Sequence, residues 1–156
     1  MTNEEATKLA RVCNDAQADP PLARRIIRLG RARLRLEAIE SPVHAAEVGF
    51  NLLAGRDVEC IAVLACDADR RLLTAEVLFT GGRTTCALHL PTLARWAVLA
   101  DAHAVWIAHN HPTGRAVPSP ADSTATVGAR AALAAVEVEL AGHVIVTDDP
   151  THWCSA

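Results

Sequence analysis

The chain reads as an α/β domain built on a mixed sheet. Two observations predict this. Short apolar runs bounded by turn residues alternate with longer segments of helical spacing. The composition is 51% hydrophobic but only 3% aromatic, so a core is affordable and must be built from Ala, Val, Leu and Ile. A length of 156 residues suits one domain with a short extension.

From the N-terminus, residues from about Glu4 to Ala18 have helical spacing, with Leu9, Ala10 and Cys13 on one side. Asp19-Pro20-Pro21 breaks the run. A second helix is predicted from Leu22 to Glu37, and Arg24, Arg25, Arg28, Arg31, Arg33 and Arg35 crowd it. These arginines read as a solvated face or as a surface for phosphate or an acidic partner. No aromatic residues interleave with them, so stacking on bases is not suggested. Ser41-Pro42 then starts a helix, with serine as cap and proline at N1, that runs to Gly55.

The apolar run 59–66 and the run 72–79 flank the turn Asp67-Ala68-Asp69-Arg70, which predicts a hairpin. An unusual backbone turn is expected at Gly81-Gly82. A helix over Pro91–His103 leads into a strand over 104–109. An Ala-rich helix from Ser119 to about Val136 and a last strand over 138–146 follow, then Asp148-Asp149-Pro150 and a short tail.

Composition narrows the function classes. The five cysteines are scattered without a C-x-x-C pair, which argues against a disulfide framework and against a Cys-rich zinc site. Cys86 is the one expected to be more exposed. A net charge of −3 gives no global drive toward nucleic acid. No apolar run reaches the length of a membrane span and no signal-peptide core opens the chain, so a cytoplasmic protein is the expectation.

Chemistry concentrates in residues 108–122. His109 and His111 are two apart at the end of a strand, so they share a face, and Asn110 points the other way. Two imidazoles at that spacing can close on one cation. Asp122 would add an oxygen and leave a fourth position open, which is the make-up of a catalytic zinc site. The spacing is also compatible with two polar residues on a wet strand face. Ser119 and Asp122 equally suit a helix start, as N-cap and first-turn acid.

The whole string His109-Asn110-His111-Pro112, six residues, Ser119-x-x-Asp122 resembles the metal-binding signature of the JAB/MPN-plus (JAMM) metalloprotease superfamily. With Thr113-Gly114 and Pro118 it looks like the RadC branch in particular, and the likeness runs from about Ser41 to Val146. It divides the chain into an arginine-rich helical extension, residues 1–40, and a RadC-like JAB/MPN domain, residues 41–156.

The resemblance implies a JAB/MPN-type fold, a curved mixed sheet flanked by helices and similar to cytidine deaminases. It implies one zinc (Zn2+) per chain, held by His109, His111 and Asp122. It also implies an upstream glutamate as general acid/base, for which Glu59 is the best positional match and Glu76 the second. Ser119 would donate a hydrogen bond to the tetrahedral oxyanion, in competition with its capping role. His44, His89, His103 and His143 lie outside the string and are expected to be satisfied or surface histidines.

The implied activity is zinc-dependent hydrolysis of peptide or isopeptide bonds, with a peptide or protein as substrate. The alternative is a non-catalytic module contacting protein or DNA. The family's name is linked to DNA repair, and the Arg24–Arg35 segment is the one feature that favours such a partner. A zinc deaminase would need His-x-Glu and Pro-Cys-x-x-Cys, and neither occurs. The sequence departs from the family pattern at His89-Leu90-Pro91-Thr92, where His-Pro-Arg-Glu is usual, and at Gly142, where an Asp usually precedes the late histidine.

Overall fold

A computed structural model describes residues 38–156. The two helices expected before Glu37 and their arginines, like Cys13, lie outside the described residues. The described part holds helix α1 (Pro42–Leu53), strands β1 (Cys60–Cys66) and β2 (Leu72–Thr80), helix α2 (Leu90–Leu99), strand β3 (Ala104–Asn110), helix α3 (Pro120–Ala134), and strands β4 (Glu139–Val146) and β5 (Trp153–Ser155).

The five strands form one open mixed sheet in the order β2-β1-β3-β4-β5. Only the β3–β4 pair is parallel. The crossover between those two strands is α3, as a parallel connection requires. The hairpin β1–β2 forms as expected, because the Asp67 carboxylate accepts the backbone N–H groups of Asp69 and Arg71, both at 2.9 Å.

Every residue of β1 and β3 is buried, because helices cover both faces of the sheet centre. On one face Ala62, Leu64, Trp106, Ala108, Val144 and Val146 pack with Ala45, Ala46 and Leu53 of α1. On the other Ile61, Val63, Val105, Ile107 and Leu140 pack with Leu93 and Trp96 of α2 and with Ala129 and Leu133 of α3. His109 continues the second set and so emerges on the side of α3.

The structure corrects three expectations. The helix predicted over Pro91–His103 ends at Leu99. Asp101 turns left-handed, at φ 55°, and the Asp101 and Ala102 N–H groups bond back to Val98 and Ala97. That is a Schellman termination, which aims the chain at β3. The tail beyond Pro150 contains a strand, β5, antiparallel to β4. Three residues are too few to carry a period-two signal. At Gly81 the constraint is closeness rather than backbone handedness: a Cβ there would lie 2.2 Å from the Thr85 carbonyl oxygen. None of the helices among the described residues is long and apolar enough to cross a membrane.

Candidate metal centre

Strand β3 delivers His109 to the end of the buried sheet, 3% exposed. His111 lies just past the strand and stays registered to it, because its N–H donates to the Val146 carbonyl at 3.1 Å. The loop then turns back, with Gly114 at φ 74°, and brings the Arg115 carbonyl 2.8 Å from His111 Nδ1. A carbonyl only accepts, so Nδ1 is the donor, and in the neutral ring the lone pair lies on Nε2.

Asp122 comes from the opening turn of α3 through a reciprocal capping box. Its N–H donates to Ser119 Oγ at 3.2 Å, and its Oδ2 accepts the Ser119 N–H at 2.7 Å. Both ends of the residue are held, so the carboxylate is presented in a set orientation. Burial pushes its pKa up, but the Ser119 hydrogen bonds and the His109 and His111 charges outweigh this and hold it below the usual range.

These three side chains converge. His109 Nε2 lies 2.8 Å from His111 Nε2 and 3.3 Å from Asp122 Oδ1, and His111 Nε2 lies 3.6 Å from Asp122 Oδ2. Three donors around a tetrahedral zinc sit about 3.3 Å from one another. The residues present therefore fit a divalent cation in separation and in donor chemistry, as a group of two imidazole nitrogens and one carboxylate.

Glu59 precedes β1 by one residue. It lies just beyond the last β1–β3 pair, Ile61 with His109, and close enough to the site for the His111 and Asp122 charges to act on its carboxyl. Burial raises its carboxyl above the ordinary range. The His111 charge opposes this, the Asp122 carboxylate adds to it, and the Cys86 amide opposes it again. Glu76 sits level with Val63 and Ile107, and its carboxylate accepts the Trp96 indole N–H at 2.8 Å.

Asn110 is buried, and its side chain turns away from the histidine cluster onto the backbone that leads into β1. Its Oδ1 accepts the Cys60 N–H at 2.7 Å, and its Nδ2 donates to the Val58 carbonyl at 3.0 Å. Ser119 caps α3 through an oxygen lone pair, so its hydroxyl proton remains available for donation.

His44, His89 and His103 are exposed. His143 differs. It is buried on β4, with Nε2 at 2.7 Å from His109 Nδ1 and Nδ1 at 2.7 Å from Thr126 Oγ1. The expectation of a satisfied or surface histidine resolves here to a buried, hydrogen-bonded one. A polar residue inside the apolar run Leu140–Val146 was the available signal. Burial, followed by the neighbouring His143 and His111 rings and against the pull of Asp122, takes the His109 pKa down to about 3. Burial also takes His143 down to about 4. Cys86 is half-buried, and burial first of all pushes its thiol up to about 11, which keeps it protonated at neutral pH.

Fold and site together define a small α/β domain with a candidate metal centre where a central strand meets the start of a neighbouring helix. Residues 39–156 match the model of the RadC-like JAB domain, and the chain belongs to that family. A UPF0758 protein of Polaromonas sp. is 40% identical over 95 residues, covering 61% of this chain and 42% of the relative. One from Acidovorax sp. (strain JS42) is 44% identical over 94 residues, covering 60% and 40%. One from Xanthomonas campestris pv. campestris is 34% identical over 114 residues, covering 73% and 51%. The chain thus spans about half the length, or less, of these curated relatives.

Proposed function

We propose that this domain is a zinc-dependent hydrolase of peptide or isopeptide bonds. The observation that carries the reading is the convergence of His109, His111 and Asp122 donor atoms at mutual distances that suit one small cation. Two nitrogens and one carboxylate leave coordination free for a reactant, unlike a closed structural site. A divalent ion bound there would polarise a carbonyl and make water nucleophilic at neutral pH.

The remaining chemistry belongs to the chain. Glu59, beside the site with a raised pKa, takes the proton of the attacking water and delivers it to the leaving amine. A carboxylate shifted upward is a better base than an ordinary one, and more of it holds a proton near neutrality, ready to be passed on. Ser119 donates its free hydroxyl proton to the oxygen that gains charge in the tetrahedral state. Glu76, engaged by Trp96, supports the helix packing instead.

The test has two parts. Metal analysis of the purified chain is expected to find about one zinc per chain, lost on His109→Ala or Asp122→Ala. Glu59→Gln is expected to keep that zinc and to lose turnover of isopeptide-linked and peptide-amide reporter substrates by about a hundredfold or more. Zinc retained by the ligand variants, or turnover untouched by Glu59→Gln, would overturn the reading in favour of a non-catalytic module.

A further inference from the structure

We propose that His143 and Thr126 are positioning residues that set the tautomer of His109 and so aim its Nε2 lone pair at the metal position. The inference rests on the metal-centre reading above and concerns residues outside the His-x-His and Ser-x-x-Asp string. It follows from counting protons along one chain of contacts.

Thr126 Oγ1 lies 2.7 Å from the Asp122 backbone carbonyl and 2.7 Å from His143 Nδ1. A hydroxyl has one proton to donate, and a carbonyl oxygen can only accept. The Thr126 proton therefore goes to the Asp122 carbonyl, since otherwise two bare oxygens would face each other at hydrogen-bond distance. His143 Nδ1 must then donate to Thr126 Oγ1. In a neutral imidazole this leaves His143 Nε2 as an acceptor. His109 Nδ1, 2.7 Å away, supplies the matching proton. His109 Nε2 is left with its lone pair, directed at His111 Nε2 and Asp122 Oδ1.

The result is a closed circuit. It starts at the backbone of one ligand, Asp122, and crosses Thr126 on the next turn of α3. It then passes through His143 on β4 and ends on a second ligand, His109 on β3. His111 reaches the same state separately, through its Nδ1–H to the Arg115 carbonyl. With both Nε2 atoms unprotonated and 2.8 Å apart beside a carboxylate, neither nitrogen can serve the other as donor. A cation between them satisfies all three groups at once. Groups that orient ligand histidines typically contribute ten- to a hundredfold in metal affinity.

The experiment compares Thr126→Val, which keeps the β-branched shape and removes the hydroxyl, with Thr126→Ser, which keeps the hydroxyl. Zinc affinity is measured by chelator competition, and the imidazole nitrogens of the metal-stripped proteins are read by 15N NMR. Thermal melting of the metal-stripped proteins shows that each variant folds. Expected are an affinity about ten- to a hundredfold weaker in Thr126→Val, near wild-type affinity in Thr126→Ser, and His109 protonated on Nδ1 in wild type but mixed in Thr126→Val. Failure of the wild-type chain to take up zinc would overturn the metal-centre reading itself. Zinc held equally by wild type and Thr126→Val, or lost equally by Val and Ser, leaves that reading standing and overturns this one.

Discussion

Asn110 Oδ1 accepts the Cys60 backbone N–H at 2.7 Å, across the antiparallel pair that carries both sides of the site. The residue between the two histidines of the candidate centre thus fixes the chain beside Glu59. With its Nδ2 on the Val58 carbonyl, it brackets Glu59 from both flanks. Replacing Asn110 with Ala leaves both backbone groups without their partner in a buried place. The expected loss is about 1–3 kcal/mol of stability by urea unfolding. If the domain is the zinc hydrolase proposed above, turnover should fall further than zinc affinity, because the candidate ligands keep their own supports on β3, the loop after it and α3 while Glu59 loses its anchor. Equal losses in both would contradict this.

Ser119 can be split into its two roles. Glycine is nearly as good an N-cap as serine, costing only a few tenths of a kcal/mol, whereas alanine costs about 1 kcal/mol. Ser119→Gly should therefore melt close to wild type, and Ser119→Ala should melt lower. If the hydroxyl also steadies an oxyanion, both variants lose turnover by about a hundred- to a thousandfold. Turnover that follows stability alone would leave Ser119 as a cap and nothing more.

The metal-stripped protein should be acid-sensitive in a definite window. Burial lowers the pKa of His109 to about 3 and of His143 to about 4. Both rings are therefore harder to protonate folded than unfolded. Their contribution is fully present above the ordinary histidine pKa of about 6.5 and is lost as pH falls from there toward the folded values. The slope is about 1.4 kcal/mol per pH unit for each proton that only the unfolded chain takes up. Urea midpoints measured across that range should decline with acid, and a flat profile would count against the buried pair.

Gly142 stands where the family resemblance calls for an Asp. A Cβ at that position would lie 2.3 Å from the Trp106 ring, which pairs with it across β3–β4. The missing side chain and the large neighbour are two halves of one packing solution. Gly142→Ala is expected to cost about 1–3 kcal/mol by overpacking. Combined with Trp106→Leu it should cost less than the two changes summed, as a double-mutant cycle would show.

Much of this was legible from residues alone. Apolar runs of strand length, the turn at Asp67 and the Ser-Pro helix starts set the order of elements, because these signals are local. The matched period of two placed His109 and His111 on one side and Asn110 on the other. Ser119 and Asp122 announced a helix opening, and the whole His-x-His…Ser-x-x-Asp string, through its family resemblance, pointed to the three side chains that the fold brings together. Helix α2 was read too long, because a left-handed Asp101 is an unusual way to end a helix.

What the linear order of residues could not decide was anything resting on contacts distant in the chain. His143 follows His109 by 34 positions, and only the parallel β3–β4 pairing brings their rings to 2.7 Å. Asn110 reaches Cys60 across 50 positions. Glu59 and Glu76 are equally acidic in sequence, and only the assembled fold brings one within reach of the His111 and Asp122 charges and the other against Trp96. Residue types and short-range periodicity determine which groups are available and which way each points. Packing of strands from separate parts of the chain determines which of them meet, because pairing register is a property of the assembled sheet.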